Sequence, residues 1–176
     1  MSTVFFIISH LFKTCPCRTF ALSIRKINIE ILVKMVNTKS TTATELLRKS
    51  LDTFLDKDMK GWSDLCAEDV IAEFPFAPEG SQSRFEGREA LYAYLKDYPT
   101  YIDVKSLPTL KIYGTDDSNV AIAEWSASGV VIGSGNPYEM SYATFVTFRD
   151  ELIVNYREYW NPQAFQKAMS GGSFAE

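Results

Sequence analysis

The chain has one histidine, His10, and that residue stands in a stretch unlike the rest of the sequence. With none beyond it, a Ser-His-Asp triad, a Cys-His pair or a histidine-ligated metal centre has no basis in the main body of the chain. No metal site is expected, and proton transfer there falls to carboxylates and tyrosines. Cysteine is scarce too: Cys15, Cys17 and Cys66 cannot staple a domain of this size, and Cys15-Pro16-Cys17 lacks a second ligand pair. That usage points to a reducing compartment. Positive charge is in deficit, with a formal net charge of -4, so no basic face is available for nucleic acid. Long apolar runs are missing; Val4 to Ile8 is far too short to span a bilayer, and no membrane partner is expected. Glycine is sparse where phosphate would need it. Gly133-x-Gly135 lacks the third glycine and following helix of a dinucleotide fingerprint, so no cofactor is expected.

What the sequence has in quantity is aromatic side chains: 12 Phe, 9 Tyr and 3 Trp in 176 residues, within a 46% hydrophobic composition. That supply suits one domain with a continuous core or a pocket for a small hydrophobic molecule.

Residues 1–40 form an N-terminal extension. Met1 to Lys34 carries five basic residues against one acidic, leaving the remainder at -8. Three readings stay open: a disordered extension, an upstream start with translation beginning at Met35, or a mitochondrial presequence. The last would alter an otherwise cytoplasmic assignment. The domain proper is read as 41–170, followed by a tail at 171–176.

Thr42-Ala43-Thr44-Glu45 has the form of a capping box. Leu47, Leu51, Phe54, Leu55, Met59, Trp62 and Leu65 then recur at helical steps, predicting one long amphipathic helix or two abutting ones broken at Gly61. Asp69 to Glu73 predicts a short strand leaving through Phe74-Pro75-Phe76-Ala77-Pro78, and Ser81 to Glu86 a polar loop. A second helix follows Gly87. Four strands over 104–113, 120–132, 138–148 and 152–160, joined by short polar turns, predict an antiparallel meander, and Gln163 to Met169 a last helix. Helices first, then a run of strands, is the order of an α+β domain: a curved antiparallel sheet with helices on one face and an internal space between.

Carboxylates inside strands are the chemical candidates. Alternation places Leu152, Val154, Tyr156, Glu158 and Trp160 on one face of the last strand. Burial of Glu158 among those rings would disfavour its charge, raise its pKa and let it exchange protons near neutrality. The competing reading pairs Glu158 with Arg88 or Arg157 and gives it a structural role. Glu124 ranks next, facing either the same cavity or a subunit contact. Glu73 reads as solvated and Glu139 as a loop-rim residue. Tyr92, Tyr94, Tyr98, Tyr101, Tyr138, Tyr142 and Tyr156 are the possible hydroxyl donors to a developing oxyanion, with Tyr142 the choice among them, while Tyr156, Trp160, Phe74, Phe76 and Trp62 are expected to line the pocket with Glu124.

The element order, Phe74-Pro75-Phe76-Ala77-Pro78, Gly87-Arg88 ahead of a helix, the strand pair from Gly129 to Phe148, and above all Arg157-Glu158-Tyr159-Trp160-Asn161-Pro162 resemble the SnoaL-like and PhzA/PhzB-like branch of the nuclear transport factor 2 superfamily. The resemblance spans about Thr42 to Met169. It implies a cone-shaped fold around a pocket and a homodimer formed through the outer face of the sheet. It also matches Glu158 to the acid-base glutamate of the phenazine branch. The phenazine proteins use a pocket histidine as well, which this domain lacks, so the resemblance implies carboxylate-only enolisation or cyclisation. The activity to expect is a cofactor-independent cyclase, isomerase or lyase of secondary metabolism, acting on a small hydrophobic carbonyl compound. The alternative is a noncatalytic carrier or protein-binding module of the same fold.

Overall fold

The computed structural model describes residues 41–170; the expectations for 1–40 and 171–176 lie outside the described residues. Helix α1 (Ala43–Leu55) starts at the expected capping box, where Thr42 Oγ1 accepts from Glu45 N and Glu45 Oε2 accepts from Thr42 N at 2.8 Å. It buries Ala43, Leu47, Ser50 and Leu51 along one stripe. The break comes earlier than Gly61. The chain turns at Lys57, whose φ of 64° is left-handed, and α2 (Met59–Asp64) restarts with Asp58 as its N-cap. Gly61 sits inside α2 and donates its N–H to Asp58 Oδ1 at 2.7 Å. A Cβ there would lie 2.1 Å from the other carboxylate oxygen, so the glycine makes room for the cap.

Strands β1 (Cys66–Glu73) and β2 (Arg84–Glu86) flank the proline-bearing loop; α3 (Arg88–Leu95) and the short α4 (Tyr98–Tyr101) follow. The meander is β3 (Ile102–Gly114), β4 (Val120–Val131), β5 (Pro137–Arg149) and β6 (Leu152–Trp160), and α5 (Pro162–Met169) ends the described chain. Six strands form one sheet in the order β2-β1-β6-β5-β4-β3. Every neighbouring pair is antiparallel except β1 with β6, which run parallel. The stretch read as polar loop at Ser81 to Glu86 therefore contains an edge strand. β1 is an inner strand whose prolines lie just past its end. Pro108, which cannot donate to a ladder, is tolerated on the other edge at a register shift in β3.

One face of the sheet is covered by helices and holds the core, with Ala121, Ala123, Trp125, Met140, Val146, Phe148 and Tyr156 all buried. The other face carries Lys111, Glu124, Ala143 and Tyr159 in register across four strands. In β6 the pairing slips between Ile153 and Asn155. That shift breaks simple alternation: Ile153 is fully buried opposite Phe148, whereas Leu152 and Val154, expected beside Glu158, stay partly exposed. Tyr156, Glu158 and Trp160 keep the expected phase.

Candidate functional site

Between the helices and the sheet lies a cavity of about 490 Å³ lined by Trp62, Phe74, Tyr142, Tyr156, Glu158 and Trp160 together with Leu51, Phe54, Tyr94, Tyr98, Trp125, Tyr138 and Phe165. Six of the eight residues singled out in the sequence meet there. Strand register explains the sheet side of the wall: Trp125, Tyr142 and Trp160 stand opposite one another on β4, β5 and β6, and Ala123, Thr144 and Glu158 form the next row. Trp62 of α2 packs edge-on against Tyr156 at 5.3 Å, and Phe74 closes on Trp160 at 5.7 Å. The Trp160 indole Nε1 is buried without a hydrogen-bond partner among the described residues, so ring packing rather than a polar contact sets its position.

Phe76 and Glu124 are not brought to this cavity, which corrects the expectation for both. β1 ends at Glu73 and the chain turns at Pro75, so Phe76 lies on the opposite face, 51% exposed and edge-on to Tyr159 at 5.4 Å. Glu124 sits between the buried Ala123 and Trp125, and alternation points it outward, where it accepts from Tyr113 Oη at 3.0 Å. Both border an open depression of about 730 Å³ on the outer side of the sheet. The arginines that could have neutralised Glu158 are engaged elsewhere. Arg157 donates from Nε and Nη2 to Glu73 Oε2 at 2.8 and 2.6 Å, and Arg88 donates to the Cys66 carbonyl at 3.3 Å.

The Glu158 carboxylate is held by two donors on one oxygen. Tyr156 Oη donates to Oε2 at 2.5 Å and Thr144 Oγ1 donates to the same atom at 3.1 Å. The threonine hydroxyl is itself fixed, since it accepts from Trp125 Nε1 at 2.9 Å. Oε1 has no hydrogen-bond partner among the described residues and is not among the fully buried unpaired atoms. It is therefore the oxygen open to the cavity. Burial pushes the carboxyl up to about 7, against the pull of the Tyr156 and Thr144 hydrogen bonds, which favour the charged form. Desolvation wins because no cation lines the cavity.

A second polar cluster occupies the same cavity. Tyr138 and Tyr142 share a hydrogen bond of 2.6 Å, and Tyr98 Oη donates to Tyr138 Oη at 3.4 Å. Burial raises the pKa of all three phenols, which keeps them neutral hydroxyl donors. If Tyr138 passes its proton toward Tyr142, the Tyr142 hydroxyl is free to donate into the cavity. Sequence reasoning did not single out Thr144 or Trp125 for this wall, and it left Tyr138 and Tyr98 among the possible hydroxyl donors without assigning them to the pocket. Thr144 had a signal, a lone hydroxyl on the inward phase of a strand, but its partner depends on register with β6.

The fold, a six-stranded sheet with helices on one face, is shared with solved structures at low identity, among them a nuclear transport factor 2-like protein of Burkholderia xenovorans (20% identity, TM-score 0.60, covering 72% of this chain and 94% of the other). Residues 47–156 match the SnoaL-like domain, and the chain belongs to that family, in its PhzA/PhzB-like branch. It is 47% identical over 134 residues to the uncharacterised protein YesE of Bacillus subtilis, covering 76% of this chain and 90% of that one. Over 129 residues it is 36% identical to the uncharacterised PhzA/B-like protein PA3332 of Pseudomonas aeruginosa, covering 73% and 91%. A crystal structure of a Bacillus subtilis protein provisionally called an isomerase superposes with a TM-score of 0.71 at 46% identity, covering 76% of this chain and 96% of the other. No helix among the described residues is long and apolar enough to cross a membrane, and none of their His, Cys, Asp or Glu side chains cluster as a metal site would require.

Proposed function

We propose that this protein is an acid-base catalyst of the cyclase, isomerase or lyase kind, acting on a small hydrophobic carbonyl compound with Glu158 as the proton carrier. The observation that carries the proposal is Glu158 itself: a carboxylate in an aromatic cavity, positioned on Oε2 by Tyr156 and Thr144, open on Oε1, and balanced between its two protonation states near neutral pH. The ionised form takes a proton from the carbon next to the carbonyl through Oε1, breaking the C–H bond and leaving the electron pair in an enolate. The Tyr142 hydroxyl donates to the enolate oxygen. The protonated Glu158 then returns the proton to another carbon, which is isomerisation, or the enolate carbon attacks a second carbonyl, whose π electrons move to its oxygen, and Glu158 gives its proton to the resulting alkoxide, which is cyclisation.

The test needs no knowledge of the natural substrate. Exchange of the α-protons of 2-tetralone into D₂O, followed by NMR, should be accelerated by the protein and lose roughly 10²- to 10⁴-fold of that acceleration in Glu158→Gln, with the circular dichroism spectrum unchanged. Equal exchange in the variant would remove Glu158 from the mechanism. Acceleration by neither protein, with 2-tetralone still bound, would favour a carrier; the apolar lining around a single carboxylate supports that second reading.

The same proposal includes a homodimer through the outer face. In support, the apolar side chains Phe76, Tyr113 and Phe145 are exposed there, with Tyr159 packed between Phe76 and Phe145. Phe145→Glu should halve the mass seen by light scattering. The bacterial origin of the relatives agrees with a cytoplasmic place of action, and none of them supports a mitochondrial one.

A further inference from the structure

A buried carboxylate is normally neutral or paired. Glu158 has hydrogen-bond donors on one oxygen, but no positive charge faces it. Of the seventeen residues that line its cavity, none is lysine, arginine or histidine, whereas eleven are aromatic. The nearest arginine in sequence, Arg157, points through the sheet to Glu73, and Arg88 is held by the Cys66 carbonyl and Glu68. The cavity thus sets one carboxylate among aromatic side chains with no cation beside it. Tyr156 and Trp160 flank Glu158 on its own strand, Trp125 and Tyr142 stack at 4.1 Å on the neighbouring ones, and Phe74 bridges toward Trp160. A hydrophobic cation would find there what an anion would not: a counter-charge at Oε1 and electron-rich rings around its methyl or methylene groups.

We infer that the cavity binds organic ammonium ions, a quaternary or tertiary amine headgroup seated between Glu158 and the surrounding rings. The inference concerns binding and does not depend on whether Glu158 transfers protons. Carboxylate and phosphate ligands are disfavoured by the same arrangement, because the site would bury two negative charges together.

The titratable groups that face Glu158 are the phenols of Tyr156 on β6, Tyr138 and Tyr142 on β5, Tyr98 on α4 and Tyr94 on α3. Burial raises each of them, and the Cys66 thiol on β1 is pushed up to about 12. Glu158 is therefore the group lining the cavity that changes charge between pH 6 and pH 8, and a permanently charged ligand reports its ionisation.

Isothermal titration of the full chain with choline and with its uncharged isostere 3,3-dimethyl-1-butanol tests the inference. At pH 8 choline should bind at least tenfold more tightly than the alcohol. Well below pH 7 its affinity should fall by up to tenfold for each further pH unit, while that of the alcohol stays level. Glu158→Gln should bring the two ligands to within about twofold of each other at every pH. The wild-type pH series alone is decisive even if that variant misfolds. Choline binding no tighter than the alcohol, a preference indifferent to pH, a preference that survives in folded Glu158→Gln, or no binding of choline at all would each overturn the inference. Since 2-tetralone exchange is measured without any ammonium ion, these outcomes leave the acid-base proposal to its own test.

Discussion

Glu73 and Glu158 stand on neighbouring strands of one sheet, and Glu73 pairs in register with Arg157, the residue next to Glu158. On the outer face, Glu73 accepts from Arg157 and Arg84 at 2.6 to 2.8 Å, and the Arg157 guanidinium first of all holds its carboxyl below the usual range. On the inner face, Glu158 has only a phenol and a threonine hydroxyl, and its carboxyl rises to about 7. One residue type on one sheet, reached by adjacent side-chain directions, thus becomes either a permanent anion tied into a surface cluster or a group able to change charge in the physiological range. The lesson is that the reactivity of a carboxylate here is decided by which face of the pleat it occupies and by whether an arginine shares that face.

The comparison can be broken at several strengths. The loss of α-proton exchange in Glu158→Gln is the largest effect expected, and Glu73→Gln should leave that exchange within about twofold of wild type. Next is the pH dependence of stability, where the two glutamates act with opposite sign. Because the folded-state pKa of Glu158 lies above its unfolded value, its contribution is fully present below about pH 4.5 and is lost as pH rises through about 7. The wild type should therefore lose roughly 3 kcal/mol relative to Glu158→Gln between those limits, an order-of-magnitude figure from the size of the shift. Urea denaturation of both proteins at pH 5 and pH 8 measures it, and parallel curves would mean that Glu158 is not desolvated.

Thr144→Val sharpens the inner side. It strands the Trp125 indole N–H and removes one donor from Oε2, so it should cost about 1 to 3 kcal/mol and move the midpoint of the exchange rate to higher pH. An unmoved midpoint would show that the threonine orients nothing. The smallest effect belongs to the outer side. The contribution of Glu73 is present at neutral pH and lost only as pH falls through its depressed pKa. Its ion pairs are solvent-screened, so Glu73→Gln should lower the melting temperature at pH 7 by no more than a few degrees. A larger fall would mark the arginine cluster as a structural clamp.

Several of these features could be read before any coordinates. Thr42 and Glu45 announce a helix start by a local rule, and the polar turns between long strands announce hairpins, because both depend on residues close in the chain. The facing of Glu158 with Tyr156 and Trp160 follows from a two-residue period that holds from Asn155 onward. It does not extend back to Leu152 and Val154, because the register slip that buries Ile153 leaves no mark in composition. The outward direction of Glu124 was legible from the alternation of its strand with Trp125 beside it, whereas the side of the sheet that Phe76 takes is set by the turn at Pro75, beyond the reach of strand alternation. The edge strand at Arg84–Glu86 and the parallel union of β1 with β6 are products of long-range pairing, which no local pattern encodes. Thr144 and Tyr138 enter the cavity wall through strand register, and Tyr98 through the packing of its short helix against them.

That parallel union also sets a timetable for the polypeptide. The hairpins from β3 to β6 close over short turns, but β1 must wait for a partner 84 residues further along, as the bond from Arg157 to Glu73 records. While the chain is being synthesised, β1 can pair only with the three residues of β2. Trp62 meanwhile lacks the Tyr156 ring, and Phe74 the Trp160 ring, until the last strand has left the ribosome. The cavity is the final thing the domain builds, and a nascent chain stopped short of Glu158 presents an open sheet edge and bare aromatic rings to whatever chaperone or neighbouring chain is nearby.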